Sequence, residues 1–228
     1  GLISDDDLRR MIDQVRSAGG AVSSKTNPDG STSPYELNIT WFDALRRPDR
    51  ETDPLHAARF LASQTLPLAL QGIPAVYFQA LTARPNNVEE LRKTGRARSI
   101  NRGHWKESEL QALLDTPESE PGRLFRELCR RLRRRTEIPA FHPDAPQSIL
   151  DLGPACLAVE RHPAGEHPPL LALHNVTDQT LTLNPADLPH PWSRRTRPRD
   201  LLAPQPFPDL SVWTLEPYAV RWLSGAPD

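Results

Sequence analysis

Residues 72–80 read GIPAVYFQA, a short apolar run introduced by Gly72 and Pro74. Its hydrophobicity is continuous rather than alternating. That pattern reads as a strand buried on both faces, as in a parallel sheet. Upstream, Asp53-Pro54 supplies an N-cap and first helical position. Ala57, Phe60, Leu61 and the stretch Gln64–Leu70 then carry an apolar helical face, with Pro67 predicting a kink or an early end. A helix followed by such a strand is an α/β unit. The segment that follows, LRKTGRARSINRGHW at 91–105, then lies past the strand's carboxyl end, the rim on which α/β barrels place chemistry.

That segment carries Arg92, Lys93, Arg96, Arg98 and Arg102, with almost no apolar periodicity after Leu91. Nucleic acid, an anionic substrate and plain solvation all compete as explanations. The 228-residue chain has a net charge of −1, so no whole-chain field draws it to nucleic acid or to a membrane surface. With 37% hydrophobic and 25% charged residues, the composition is that of a globular protein. Cys129 and Cys156 are the two cysteines, far apart and without metal-ligand spacing. A disulfide framework and a metal site are therefore not expected, and a reducing cytoplasm is compatible. No run is apolar enough to span a bilayer.

The opening, GLISDDDLRRMIDQV, lacks an initiator Met and moves straight into a helix over Asp5–Ser17. Ser4 is its N-cap, Asp5–Asp7 fill its first turn, and Leu8, Met11, Ile12 and Val15 keep its apolar spacing. This is the expectation for a fragment of a longer chain. SSKTNPDGSTSP, 23–34, reads as a polar loop, either a solvated connection or a binding loop. YELNITWFDAL, 35–45, has mixed strand and helix character.

Two more helices are expected over Glu107–Leu114 and from Pro121 to about Thr136. The second shows Leu124, Phe125, Leu128 and Leu132 on one face, and Arg130, Arg131 and Arg133–Arg135 near its end. Those arginines read as a solvated, dipole-complementing end rather than an RNA-binding patch, because no aromatic platform is interleaved with them. From about Ser148 the texture becomes all-β. SILDL, CLAVER, LLALHNV, TLTL, SVWTL and AVRWL are short runs separated by turn residues, with proline confined to the connections.

SPYELNITWFDAL, ARFLASQTLPLALQGIPAVYF, ELRKTGRARSINR and PAFHP, in that order, resemble the C-terminal part of a sucrose-phosphorylase-type enzyme. These are sugar phosphorylases of the α-amylase superfamily, glycoside hydrolase family 13. The resemblance implies the end of a (β/α)8 barrel with an inserted small domain and a C-terminal antiparallel β domain. Residues 1–50 would be the insertion with an acceptor loop, 51–138 the end of the barrel, and 139–228 the β domain. It also implies a retaining transfer of glucose from an α-glucoside to inorganic phosphate, giving α-glucose 1-phosphate, with phosphate as co-substrate and no other cofactor. Expected partners are small molecules rather than nucleic acid or membrane, with a homodimer left open. The family's catalytic carboxylates and His-Asp pair would lie before residue 1, and no His-Asp pair occurs in the chain. These 228 residues alone are therefore expected to be inactive.

By the same resemblance, Arg98 falls where the family places an arginine that binds the donor glucose and pairs with a barrel aspartate. Arg96 and Arg102 are read as structural or solvated. Pro34 and Tyr35 fall in the loop that exchanges acceptor for phosphate, and the Tyr35 hydroxyl can donate to a phosphate oxygen. Glu36 stands where sucrose phosphorylases carry glutamine. NPDGSTSPYELN instead resembles the branch acting on glucosylglycerate, and Glu36 is expected either to point away from the acceptor carboxylate or to pair with a cation outside the chain. Trp41 is the tryptophan nearest this loop in sequence, and His142 and His174 read as structural. The alternatives are an amylase-type hydrolase and a non-catalytic carbohydrate-binding or scaffolding module.

Overall fold

The computed structural model describes residues 3–190, 192–193, 198–203 and 212–225. It begins with α1 (Asp5–Ser17), the strands β1 (Ala21–Thr26) and β2 (Thr32–Asn38), α2 (Trp41–Ala44), α3 (His56–Ala69), α4 (Phe78–Leu81) and α5 (Val88–Thr94). A 3-10 turn over Ala97–Asn101 precedes α6 (Glu107–Asp115) and α7 (Glu120–Glu137). The rest is β3 (Gln147–Asp151), β4 (Cys156–Arg161), β5 (Leu170–Asn175), β6 (Leu181–Leu183), β7 (Arg199–Asp200), β8 (Trp213–Leu215) and β9 (Val220–Ser224). The chain divides into two compact units. The first holds the described residues up to His56 together with Val76–Phe125, and the second holds Ala57–Ala75 and the described residues from Arg126 onward.

In the first unit, α1 starts as its sequence dictates. The Ser4 hydroxyl accepts the Asp7 N–H and the Asp7 carboxylate accepts the Ser4 N–H, a capping box that satisfies two otherwise orphaned donors. Ile12 and Val15 form its buried face. Gly20 turns the chain out of α1, where an added Cβ would lie 2.7 Å from Val15 Cγ1 and 2.9 Å from the Val15 carbonyl oxygen. The polar loop expected at 23–34 is instead largely strand. β1 and β2 pair antiparallel across a tight turn at 27–31. Ser and Thr side chains are compatible with a pleated surface, and a half-exposed hairpin needs no apolar alternation.

The strand expected at 72–80 is not there. Residues 73–77 belong to no strand, and Ile73, Val76, Tyr77 and Phe78 are exposed, Ile73 by 84% and Tyr77 by 60%. A parallel strand needs a partner to hydrogen-bond to. Every strand pair among the described residues is antiparallel. The apolar run therefore has nothing here to pair with. The helix before it does form, continuing past Pro67 to Ala69.

The second unit is built on a five-stranded antiparallel sheet in the order β3-β4-β5-β9-β7, with a separate β6–β8 ladder. The terminal β region expected from sequence is thus present, although Ser211 of SVWTL lies outside the described residues. Alternation along the strands splits the core in two. Ala158, Leu171, Leu173 and Leu223 pack with Trp192, Trp213 and Leu215 on one side. Val159, Leu170, Ala172 and Trp222 pack with Leu68, Ala69 and Phe141 on the other. Because both faces are covered, β5 is buried at every position although its sheet is antiparallel.

Of the arginines late in α7, Arg133 is exposed, but Arg130, Arg131, Arg134 and Arg135 are not the solvated end read from the sequence. Arg131 donates to Thr65 Oγ1 at 2.6 Å and to Glu127 at 2.7 Å, and Arg135 donates to the carbonyls of Leu68 and Gly72. Arg130 and Arg134 reach the carbonyls of Leu202 and Leu201. Arg161, fully buried in β4, holds the carbonyls of Ala69, His142 and Ala145. These guanidiniums cross-link backbone segments far apart in sequence, satisfying carbonyls that would otherwise be orphaned.

Candidate functional site

The hairpin positions the first group of site residues. Its register pairs Ser23 with Glu36 and Ser24 with Pro34, which leaves Tyr35 as the extra residue of a β-bulge. A bulge breaks alternation and re-aims side chains. Pro34 and Tyr35 are accordingly both exposed, Tyr35 by 64%. The connecting turn is held by the Asp29 carboxylate, which accepts the Ser31 hydroxyl and N–H. These hydrogen bonds keep the carboxyl below its ordinary pKa. Gly30 supplies the positive φ of +82° that the turn requires.

The arginine stretch is anchored from both ends. Asn87 caps α5 by accepting the Glu90 N–H, and its own N–H donates to the Ile100 carbonyl at 2.8 Å. α5 stops at Gly95 in the left-handed region, as its φ of +64° shows. The 3-10 turn that follows is nailed down by Ile100, which is fully buried. Asn86 stitches the surroundings together, accepting the Thr40 N–H and donating to the Ala18 carbonyl and to Asp43. Beyond it, the Arg84 guanidinium lies 4.1 Å from the Trp105 ring centroid, over the backbone of Gly103, where an added Cβ would meet it at 2.5 Å.

These two pieces meet at one ion pair. Arg98 Nε donates to Glu36 Oε2 at 2.8 Å. The hydrogen bond to Glu36, and its charge, raise the guanidinium's pKa above the ordinary value. Glu36 thus pairs with a cation of this chain, not with one from outside it, which was one of the two arrangements expected from sequence. An open cavity of about 700 Å³ is lined by Arg96, Arg98 and Arg102 together with Ser23, Ser99 and His104. By sequence Arg98 differs in expected role from Arg96 and Arg102, and their shared cavity is visible only in three dimensions. Pro34 and Tyr35 are not part of its lining. Trp41 opens α2 and is half exposed.

Two other clusters carry no chemistry of their own. Ser148 and Glu160 both approach Nε2 of His162, at 3.2 and 3.6 Å. A nucleophile–base–acid triad needs the serine and the acid on opposite ring nitrogens. His174 is buried, with neither ring nitrogen hydrogen-bonded among the described residues, and burial pushes the Cys156 thiol up to about 11. Among the described residues no group of His, Cys, Asp and Glu is arranged to hold a metal ion, and no helix is long and apolar enough to cross a membrane.

No protein-family model matches the chain. Curated sequences do. The glucosylglycerate phosphorylase of Allomeiothermus silvanus is 38% identical over 151 residues, which is 66% of this chain and 27% of that protein. The glucosylglycerate phosphorylase of Spirochaeta thermophila is 34% identical over 78% of this chain and 30% of its own length. That of Escherichia coli is 28% identical over 98% of this chain and 38% of its own length. The chain is related to the sugar phosphorylases. It spans 27–38% of the length of these relatives. Among solved structures, sucrose 6F-phosphate phosphorylase from Thermoanaerobacter thermosaccharolyticum matches with a TM-score of 0.60 at 22% identity, covering 77% of this chain and 33% of that one. AmyP with maltotriose matches with a TM-score of 0.57 at 12% identity, over 82% of this chain and 38% of that one. At those identities the likeness concerns fold: the structural neighbours of this mixed α/β chain with antiparallel sheets are (β/α)8-barrel enzymes of the α-amylase family.

Proposed function

We propose that the protein carrying this chain is a retaining α-glucoside phosphorylase that transfers glucose from glucosylglycerate to inorganic phosphate, releasing α-glucose 1-phosphate. The observation that carries this reading is the 38% identity to a glucosylglycerate phosphorylase, in a chain whose bulged hairpin sets Glu36 against Arg98. On this reading residues 1–50 form an inserted small domain, 51–138 the end of a (β/α)8 barrel and 139–228 a C-terminal β domain. The exposed run at 73–77 would then pair with barrel strands contributed by residues outside these 228. The attacking and protonating carboxylates would come from the same place, set roughly 5 Å apart as retention requires.

Arg98 orients the donor glucose. A planar guanidinium fork can hold a sugar hydroxyl and a carboxylate in fixed geometry, which an ammonium cannot. Tyr35, standing out from the bulge with its hydroxyl free to donate, contacts the incoming phosphate, and Pro34 stiffens that strand at the bulge. Glu36 shapes the acceptor side. Phosphate is the co-substrate, and the step calls for no other cofactor.

The test is a substrate panel presented to the full-length protein with phosphate: glucosylglycerate, sucrose and other α-glucosides. Glucosylglycerate should be turned over with the highest kcat/KM. A higher kcat/KM for sucrose would contradict the assignment of the acceptor while leaving phosphorolysis standing.

A further inference from the structure

The arginine cavity holds more positive charge than donor orientation needs. Three guanidiniums, Arg96, Arg98 and Arg102, line one open pocket of about 700 Å³. Of these three, only Arg98 has an ion-pair partner among the described residues, Glu36. Glu90 lines the pocket, and Glu36, which is not part of its lining, pairs with Arg98, leaving three fixed cations against two carboxylates. Like charges gathered with too few counter-ions repel. Yet the backbone here is firmly placed, by the Gly95 turn, by the Asn87–Ile100 hydrogen bond and by buried Ile100. The Ser23 and Ser99 hydroxyls on the same wall can also donate to an anion. By contrast, two of the four arginines that line the cavity beside Leu201 are committed differently. There Arg130 and Arg134 spend their donors on Glu127, Glu137 and backbone carbonyls, as cross-links do.

We propose that Arg96 and Arg102 bind the oxyanion of a small ligand in this cavity, and that Glu36 is the internal counter-ion that competes with that ligand for Arg98. The ligand class is a carboxylate or phosphate on a small polar molecule. That choice rests on the phosphorolytic reading, in which phosphate and glycerate are the two anions the protein handles. Ligand entry frees Arg98 from Glu36, so the ion pair seen in the structure is the resting arrangement. The competition has a sign. Neutralising Glu36 removes a competitor and tightens the ligand, whereas removing either unpaired arginine loosens it.

The experiment is equilibrium binding to the full-length protein by calorimetry, with inorganic phosphate, D-glycerate and, as a neutral control, glycerol. Arg96→Gln and Arg102→Gln should each raise the Kd of the bound anion about tenfold, the lower end for a hydrogen bond to a charged group in an open site. Arg96→Lys should lose less. Glu36→Gln should lower the Kd several-fold, and added salt should weaken binding by screening. Binding of phosphate alone would assign the cavity to phosphate. Binding of glycerate alone would assign it to the acceptor carboxylate, and either supports the proposal. Kd values for both glutamine variants within twofold of wild type, in proteins that melt normally, would overturn it. Should those variants fail to fold, Glu36→Gln and the salt series decide instead: anion binding indifferent to both would also overturn it. These outcomes are independent of turnover. A protein that hydrolyses glucosides yet binds anions as described would refute the phosphorolytic reading and leave the cavity assignment in place.

Discussion

GIPAVYFQA at 72–80 and LLALHN at 170–175 are both unbroken enough in hydrophobicity to read as strands buried on two faces. LLALHN becomes β5, buried at all six positions between two apolar clusters. GIPAVYFQA stays outside any sheet, and its apolar side chains face outward. The difference lies in what surrounds them. β5 finds β4 on one edge and β9 on the other, all within the same 228 residues. The earlier run finds no parallel partner among the described residues. A continuous apolar run therefore states a demand for burial. Whether the demand is met depends on strands that the run itself does not encode.

The same contrast separates the two units. Trp192, Trp213 and Trp222 are all sealed in the second, along with most of the fully buried leucines. The first keeps Met11, Tyr35, Trp41, Tyr77 and Phe78 exposed and holds the arginine cavity with its bulged hairpin. Stability is concentrated in the second unit and the proposed chemistry in the first, an arrangement in which binding elements are drawn from the less tightly packed end of the molecule.

The largest expected effect tests the functional side of that contrast. Arg98→Ala in the full-length protein should lower turnover of the donor by about a hundredfold or more, because misplacing the reacting sugar is costly, and Arg98→Lys should restore little. Its melting temperature should hardly move, since Arg98 is exposed and its one ion pair is solvent-accessible. Comparable in size, but on stability, is Trp222→Ala, which empties a fully buried site packed edge-on against Phe141. It should cost about 3–5 kcal/mol by denaturant unfolding, and the loss should appear in the second unit's transition.

His174 sharpens the contrast through pH. Burial, and secondarily the nearby Arg131 charge, lower its pKa from 6.5 to about 3. The unfolded chain therefore binds a proton that the folded chain refuses between those values. The stability contributed by neutral His174 is complete above about pH 6.5. It falls as pH drops toward 3, by up to about 1.4 kcal/mol per pH unit. His174→Leu should flatten the pH dependence of the second unit's melting over that window. An unchanged slope would mean that other groups govern it. The smallest effect is expected of Gly103→Ala, whose new Cβ displaces the flexible end of Arg84 from Trp105. The loss should be about 0.5–1 kcal/mol, confined to the first unit.

Features with local causes were legible in the sequence. The N-cap of α1 lies within four residues of the acids it precedes, and the turn-punctuated strands of the second unit, β7 excepted, announce themselves one by one. What was not legible depends on long-range partners. Glu36 and Arg98 are 62 positions apart, and Arg131 and Thr65 are 66 apart, so neither pair leaves a trace in local pattern. β1 and β2 escaped because their serines, threonines and lysine carry no period-two hydrophobic signal. The burial of Arg161 beneath three carbonyls, and the packing of the Arg84 guanidinium over Gly103, likewise emerge only when distant segments are packed together.

The central claim is that the protein carrying this chain passes glucose to phosphate rather than to water. The most direct measurement follows the full-length protein with glucosylglycerate, with and without inorganic phosphate, quantifying α-glucose 1-phosphate and free glucose together. Formation of α-glucose 1-phosphate in step with released glycerate, and near-arrest of donor consumption when phosphate is withheld, is the expected result. Free glucose appearing at the same rate with or without phosphate would contradict it.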